Sequence, residues 1–169
     1  MPYTPGMALD LIAELDALVD ALHREGVAYA VCGGLALAMH GHARATMDID
    51  LLVAEDQVAD VLRIARAAGF DVPARKMTFG LRGGRPREVH RVSKLDPETQ
   101  ALLALDVLVV NADLASVWAD RVVLAVGTRH IAVVSREGLA TMKRIAGRPQ
   151  DLADLALLEG RADDDADAD

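Results

Sequence analysis

The stretch from Tyr29 to Val53, YAVCGGLALAMHGHARATMDIDLLV, decides how the rest of the chain is read. The apolar run Val27 to Cys32 reads as a short buried strand that breaks at Gly33-Gly34. Leu35 to Met39 suits one or two helical turns. Asp48-Ile49-Asp50 then opens a second apolar strand, Asp48 to Val53. Residues two apart on a strand share a face, with Cα atoms roughly 6–7 Å apart. Asp48 and Asp50 therefore point one way, Ile49 and Leu51 the other. Paired carboxylates on a rigid strand suit a hard cation such as Mg2+, which keeps waters and also binds substrate phosphates. A strand with one solvated face would show the same alternation.

Working outward, Leu11, Ile12, Leu15, Leu18, Val19 and Leu22 recur at the helical period and predict a helix over about residues 7–25, stopped by Gly26. Val58, Val61, Leu62 and Ala65 predict another over 56–68, stopped by Gly69. Met77, Phe79 and Leu81 alternate with polar positions, Gly83-Gly84 follows, then Val89 and Val92, which reads as a hairpin. Asp96-Pro97-Glu98 is a turn. Ala101 to Val110 is nearly all apolar, as a central strand is. A short helix near 114–119, strands at 121–126 and 129–134, and a helix capped by Ser135 and running to Ala146 follow. Pro149 starts a last helix, to about Glu159. The class is mixed α/β (α+β): a mixed sheet with flanking helices and a C-terminal helical pair. One domain is expected over 1–160, with RADDDADAD (161–169) as a disordered acidic tail.

Asp106 lies inside the apolar run ALLALDVLVV. A buried carboxylate is costly unless it pairs with a cation or a metal. It is therefore the partner of an arginine, a residue on an exposed edge, or a third acid beside Asp48 and Asp50. In the last case three acids on two neighbouring strands make a cage for divalent ions, and Asp106 is the candidate general base.

The composition narrows the class. Of 169 residues 52% are hydrophobic and only 3% aromatic, so aliphatic side chains must build the core. No apolar run approaches the roughly 18 residues that span a bilayer, and the acidic start has no basic n-region of a secretory signal. The single cysteine, Cys32, excludes an internal disulfide. A cytoplasmic protein with no membrane partner is expected. The net charge of −8 argues against a general nucleic-acid coat, yet residues 75–94 hold seven Lys/Arg and one acid. A flap carrying Arg82, Arg85, Arg87 and Arg91 would suit RNA or nucleotide phosphates; an exposed hairpin protected from edge aggregation would carry the same charge.

The segment GGLALAMHGHARATMDIDLLV resembles the nucleotidyltransferases of the DNA polymerase β-like superfamily, and looks closest to the small bacterial AbiEii-like group. The shared pattern is a glycine pair or Gly-Ser, a helix, then D-x-D between hydrophobic residues. A third acid on a later strand matches Asp106, and MKRIAGRPQDLADL matches a C-terminal helix carrying Lys143, Asp151 and Asp154. The likeness covers about residues 27–158, the hairpin least. It implies a transfer of NMP from an NTP to an acceptor hydroxyl. Asp48, Asp50 and Asp106 would hold Mg2+ or Mn2+, Gly33 and Gly34 would cradle the triphosphate, and Arg44, Thr46 and Lys143 would complete the nucleotide site. Arg44 could equally pair with Asp48 or Asp50, and Lys143 could snorkel beside the core. Many superfamily members have Ser where this chain has Gly34. A toxin-like enzyme acting on tRNA or protein, with a cognate toxin or antitoxin partner, is the leading reading. An antibiotic nucleotidyltransferase, and a non-catalytic nucleotide-binding antitoxin or regulatory module, are the alternatives.

Overall fold

The computed structural model describes residues 9–74, 76–79 and 86–166, with side chains as far as residue 160. In chain order the elements are α1 (Leu11–Arg24), β1 (Ala30–Cys32), α2 (Gly33–Met39), β2 (Asp48–Val53), α3 (Val58–Ala67), β3 (Val72–Pro73), β4 (Met77–Phe79), β5 (Arg87–Leu95), β6 (Leu102–Val109), α4 (Ala115–Ala119), β7 (Val122–Val126), β8 (Arg129–Val133), α5 (Arg136–Ala146) and α6 (Pro149–Ala166). The expected α/β class, with a mixed sheet and flanking helices, is what forms. Backbone contacts group the elements into two compact units. One runs to Tyr29 and resumes over Met47–Val109; the other holds Ala30–Thr46 and the chain from Val110 onward.

In the first unit, Asp10 begins α1: its Oδ1 accepts from the backbone N–H of Ile12 and Ala13. The helix therefore starts at Leu11, later than the apolar period alone suggests. β2 and β6 run parallel, Asp48 opposite Ala104 through to Val53 opposite Val109. β5 is antiparallel to β6, and β3 and β4 are both antiparallel to β5. β4 and β5 are the arms of the expected hairpin. Its turn, with Arg82 and Arg85, lies outside the described residues, as does Arg75. β3, only two residues long, has no signal in the sequence.

The parallel register sorts the side chains. Ile49, Leu51 and Val53 stand beside Leu105, Val107 and Val109, all buried. This is the face on which α1 packs, with α3 against it, through Leu15, Leu18, Val19 and Leu22 and through Val61, Ile64 and Ala65. Lys94 lies in register with Leu103 of β6, which is on this face, and its ammonium donates to Glu14 Oε2 at 2.8 Å and to the Ala68 carbonyl at 3.1 Å.

In the second unit, β1 pairs in parallel with β8, and β8 pairs antiparallel with β7. Ser135 caps α5, accepting from the Gly138 N–H at 2.9 Å. Gly147, at φ +63°, ends it in the left-handed conformation that glycine adopts without strain. Pro149 begins α6 as expected. α6 runs on to Ala166, past the expected end at Glu159. Among the described residues no helix is long and apolar enough to cross a membrane.

Ser135→Ala removes the cap of α5. Urea denaturation should show a loss of about 1 kcal/mol in stability.

Candidate active site

Because Asp50 is opposite Asp106 on parallel strands, and Asp48 stands two residues before Asp50, all three carboxylates fall on the sheet face away from α1. The antiparallel neighbour adds one more residue in register: Arg91 of β5, opposite Asp106. Its Nε donates to Asp106 Oδ1 at 2.7 Å and its Nη2 to Asp106 Oδ2 at 2.8 Å. The same Nη2 lies 3.9 Å from Asp48 Oδ2. The hydrogen bonds that Arg91 donates to Asp106 raise the pKa of Arg91 above its ordinary value, aided by the charges of Asp106, Asp48 and Asp50, and this outweighs the opposing effect of its burial. All three acids are felt at one guanidinium.

The acids differ in access. The Asp48 side chain is 45% exposed, that of Asp106 only 12%. Oxygen donors of this kind suit a hard divalent cation, and the three share one face. Their placement is not yet a cage: among the described residues no three His, Cys, Asp or Glu side chains converge closely enough to hold an ion. The donor chemistry thus fits a cation, while the third carboxylate is committed to Arg91.

Arg91 had been expected on a basic flap with Arg82, Arg85 and Arg87. That expectation is corrected: it lies in mid-strand and clasps an acid. Two further members of the basic segment are also internally engaged, Lys76 by Glu88 and Lys94 by Glu14. Lys76 is the main reason that the Glu88 carboxyl sits below the usual range.

The glycine turn belongs to the second unit. Gly33 has φ +64°, a conformation L side chains resist. Gly34 is restricted by space instead: a Cβ there would lie 2.7 Å from Thr46 Oγ1, 2.9 Å from Thr46 Cβ and 3.6 Å from Arg44 Nη2. The absence of a side chain at position 34 is therefore matched by Thr46, whose hydroxyl fills that space. His40, read from sequence as a turn or packing residue, hydrogen-bonds the Val134 carbonyl through Nε2 at 2.8 Å.

The remaining predicted residues form a buried ionic cluster joining α5 to α6. Lys143 Nζ donates to Asp151 Oδ1 at 3.2 Å and to Asp154 Oδ2 at 2.9 Å. Arg44 Nη2 reaches the same Asp154 oxygen at 3.0 Å, and Arg148 Nε donates to Asp151 Oδ2 at 2.7 Å. Arg44 thus pairs with Asp154. Lys143 is 6% exposed and its ammonium is directed to two acids. Burial pushes the Asp151 carboxyl up, but hydrogen bonds from Arg148 and Lys143 and their charges bring it below its ordinary value.

A family model described as "Nucleotidyltransferase of unknown function (DUF6036)" matches residues 8–159. The chain belongs to this nucleotidyltransferase family. No curated protein matches it by sequence. Among solved structures, a protein of Thermotoga maritima described as a nucleotidyltransferase is similar at TM-score 0.58 and 16% identity, over 89% of this chain and 92% of that one. ANT(2'')-Ia in complex with adenylyl-2''-tobramycin is similar at TM-score 0.59 and 13% identity, over 87% and 86%. The lincosamide antibiotic adenylyltransferase LnuA, lincomycin-bound, is similar at TM-score 0.50 and 16% identity, over 87% and 95%. At these identities the likeness is one of fold. The fold is that of the nucleotidyltransferases, as the D-x-D stretch implied.

Two outcomes follow for the second unit. Gly34→Ala should cost about 1–3 kcal/mol through overpacking; Thr46→Ala in the same chain should recover only part of it, because the Thr46 Cβ at 2.9 Å remains, and Thr46→Gly should recover more of the overpacking cost; thermal unfolding reads all three. Asp151 has a depressed carboxyl, so its contribution to stability is present above about pH 4, the ordinary carboxylate value, and is lost as the pH falls through the lower folded value. Asp151→Asn should lower stability at pH 7, with the gap from wild type closing at strongly acid pH in urea titrations.

Proposed function

We propose that the chain is a metal-dependent nucleotidyltransferase that moves NMP from an NTP to an acceptor hydroxyl, and that it is a member of the AbiEii-like group. The observation that carries the reading is the register of β2 and β6, which sets Asp50 opposite Asp106 with Asp48 on the same face. In the reaction, the acceptor oxygen bonds to the α-phosphorus as the bond from that phosphorus to the bridging oxygen of the β-phosphate breaks. Pyrophosphate leaves, and the hydroxyl proton goes to a carboxylate. Mg2+ or Mn2+ held by Asp48, Asp50 and Asp106 would neutralise phosphate charge and ease deprotonation of the hydroxyl. Asp48 is the more exposed and accessible ligand. Asp106 is the general base by resemblance, a role it takes only outside the grip of Arg91, whose Nε and Nη2 occupy both of its oxygens.

The resemblance assigns Gly33 and Gly34 to the triphosphate, and Arg44 and Thr46, between them and Asp48, are the further nucleotide-site candidates. The fit of Thr46 against Gly34 supports a hydroxyl at that turn despite the missing serine. Lys143, with two buried acids for partners, serves by bracing α5 and α6 and, through Asp154, Arg44. For the acceptor, we favour an RNA or protein hydroxyl and a toxin-like role in the cytoplasm. Arg82, Arg85 and Arg87 are the residues of the basic segment left to this reading, since Arg91 has its acid. Their charge suits phosphate and would repel a cationic drug.

Incubation with each labelled NTP, Mg2+ and bulk RNA, cell protein or candidate antibiotics is the test. Transfer to an acceptor with release of pyrophosphate is expected, with Asp48→Asn and Asp50→Asn reduced at least about a hundredfold. If no acceptor is labelled, and Asp48→Asn behaves as wild type, the reading fails. Expression in bacteria separates the roles: growth arrest that requires Asp50 marks a toxin, raised drug tolerance a resistance enzyme.

A further inference from the structure

We propose that Arg91 is a positioning residue that competes with a divalent cation for Asp106, so that the third carboxylate joins a cation site only when the guanidinium lets go. The inference rests on the metal-dependent reading above and adds a control to it.

Three observations carry it. Arg91 engages both oxygens of Asp106, at 2.7 and 2.8 Å, a bidentate geometry that a planar guanidinium makes and an ammonium cannot. The residues are in register on adjacent strands, so the contact follows from the sheet itself and needs no loop to form it. The guanidinium also reaches within 3.9 Å of Asp48 Oδ2 on β2 while it holds Asp106 on β6. It thus supplies positive charge where a bound ion would supply it. The Arg91 side chain is 38% exposed, against 12% for Asp106, so the arginine has solvent to move into while the acid does not. The lack of a converged three-ligand group among the described residues agrees with this, as Asp106 is turned to Arg91.

The readout is Mn2+ binding to the purified full-length chain, followed by the electron paramagnetic resonance of free Mn2+, with no substrate present. Arg91→Lys keeps the charge and abolishes the fork. It should bind Mn2+ roughly five- to tenfold tighter than wild type, the scale of one lost charge-assisted contact. In an Asp106→Asn background the same change should do nothing, because there is no carboxylate to compete for. Arg91→Gln is a second variant, also expected to bind more tightly, and millimolar methylguanidinium should weaken its binding again. Far-UV circular dichroism checks that each variant is folded.

Equal Mn2+ affinity in wild type and both Arg91 variants overturns the competition, and so does a tightening by Arg91→Lys that persists with Asp106→Asn. If neither wild type nor any variant binds Mn2+, the metal reading of the site falls and this inference with it. The two failures are therefore distinguishable.

Discussion

The parallel register of β2 on β6 is the constraint on which the first unit depends. It stacks Ile49, Leu51 and Val53 against Leu105, Val107 and Val109, and in the same act sets Asp48, Asp50 and Asp106 together on the opposite face. Because side chains alternate with period two, a slip of β2 by one residue would turn Ile49, Leu51 and Val53 outward and carry Asp48 and Asp50 into the core under α1. Burial on the aliphatic face thus holds the position of the acids on the other. The hydrophobic core and the candidate site are the two sides of one pairing.

Charge is arranged with the same economy in both units. Asp106 is buried and has a fork of two hydrogen bonds from Arg91. Asp151 and Asp154 are buried and share Lys143, with Arg148 and Arg44 completing them. Breaking a buried pair on one side costs about 3–5 kcal/mol, because it strands the other charge. Lys143, buried with both of its acids, is therefore required by them, whatever else it does. A cation that is required structurally cannot be read as a ligand for phosphate from its identity and position in the sequence alone. Lys143 is the clear case.

Much of this was legible in the sequence. The strands at Asp48 to Val53 and at 101–110, the capped helix from Ser135 to Ala146 and the hairpin arms all follow from periodicity and end signals that tertiary packing does not oppose. The need for Asp106 to have a cation was legible too, from the price of a bare carboxylate in an apolar strand. Which cation was not. Arg91 and Asp106 are 15 residues apart, and only the antiparallel register across the intervening turn brings them opposite. Composition pointed the wrong way, grouping Arg91 with Arg82, Arg85 and Arg87 as a surface feature. β3 was invisible because two residues carry no period, and the match of Thr46 to Gly34 because it lies across a turn rather than along an element.

The exposure of the acids adds a last step. Asp48 is nearly half exposed. Asp106, almost enclosed, would be expensive as a bare anion. A site whose innermost ligand is buried has to stabilise that ligand before any ion arrives, and the cheapest stabiliser is a cation already on the neighbouring strand. Arg91 meets that need. On the proposed metal-dependent reading, the same contact would oppose an ion at Asp106, the most buried of the three acids, and occupancy of the outer acids would be separable from release of the inner one.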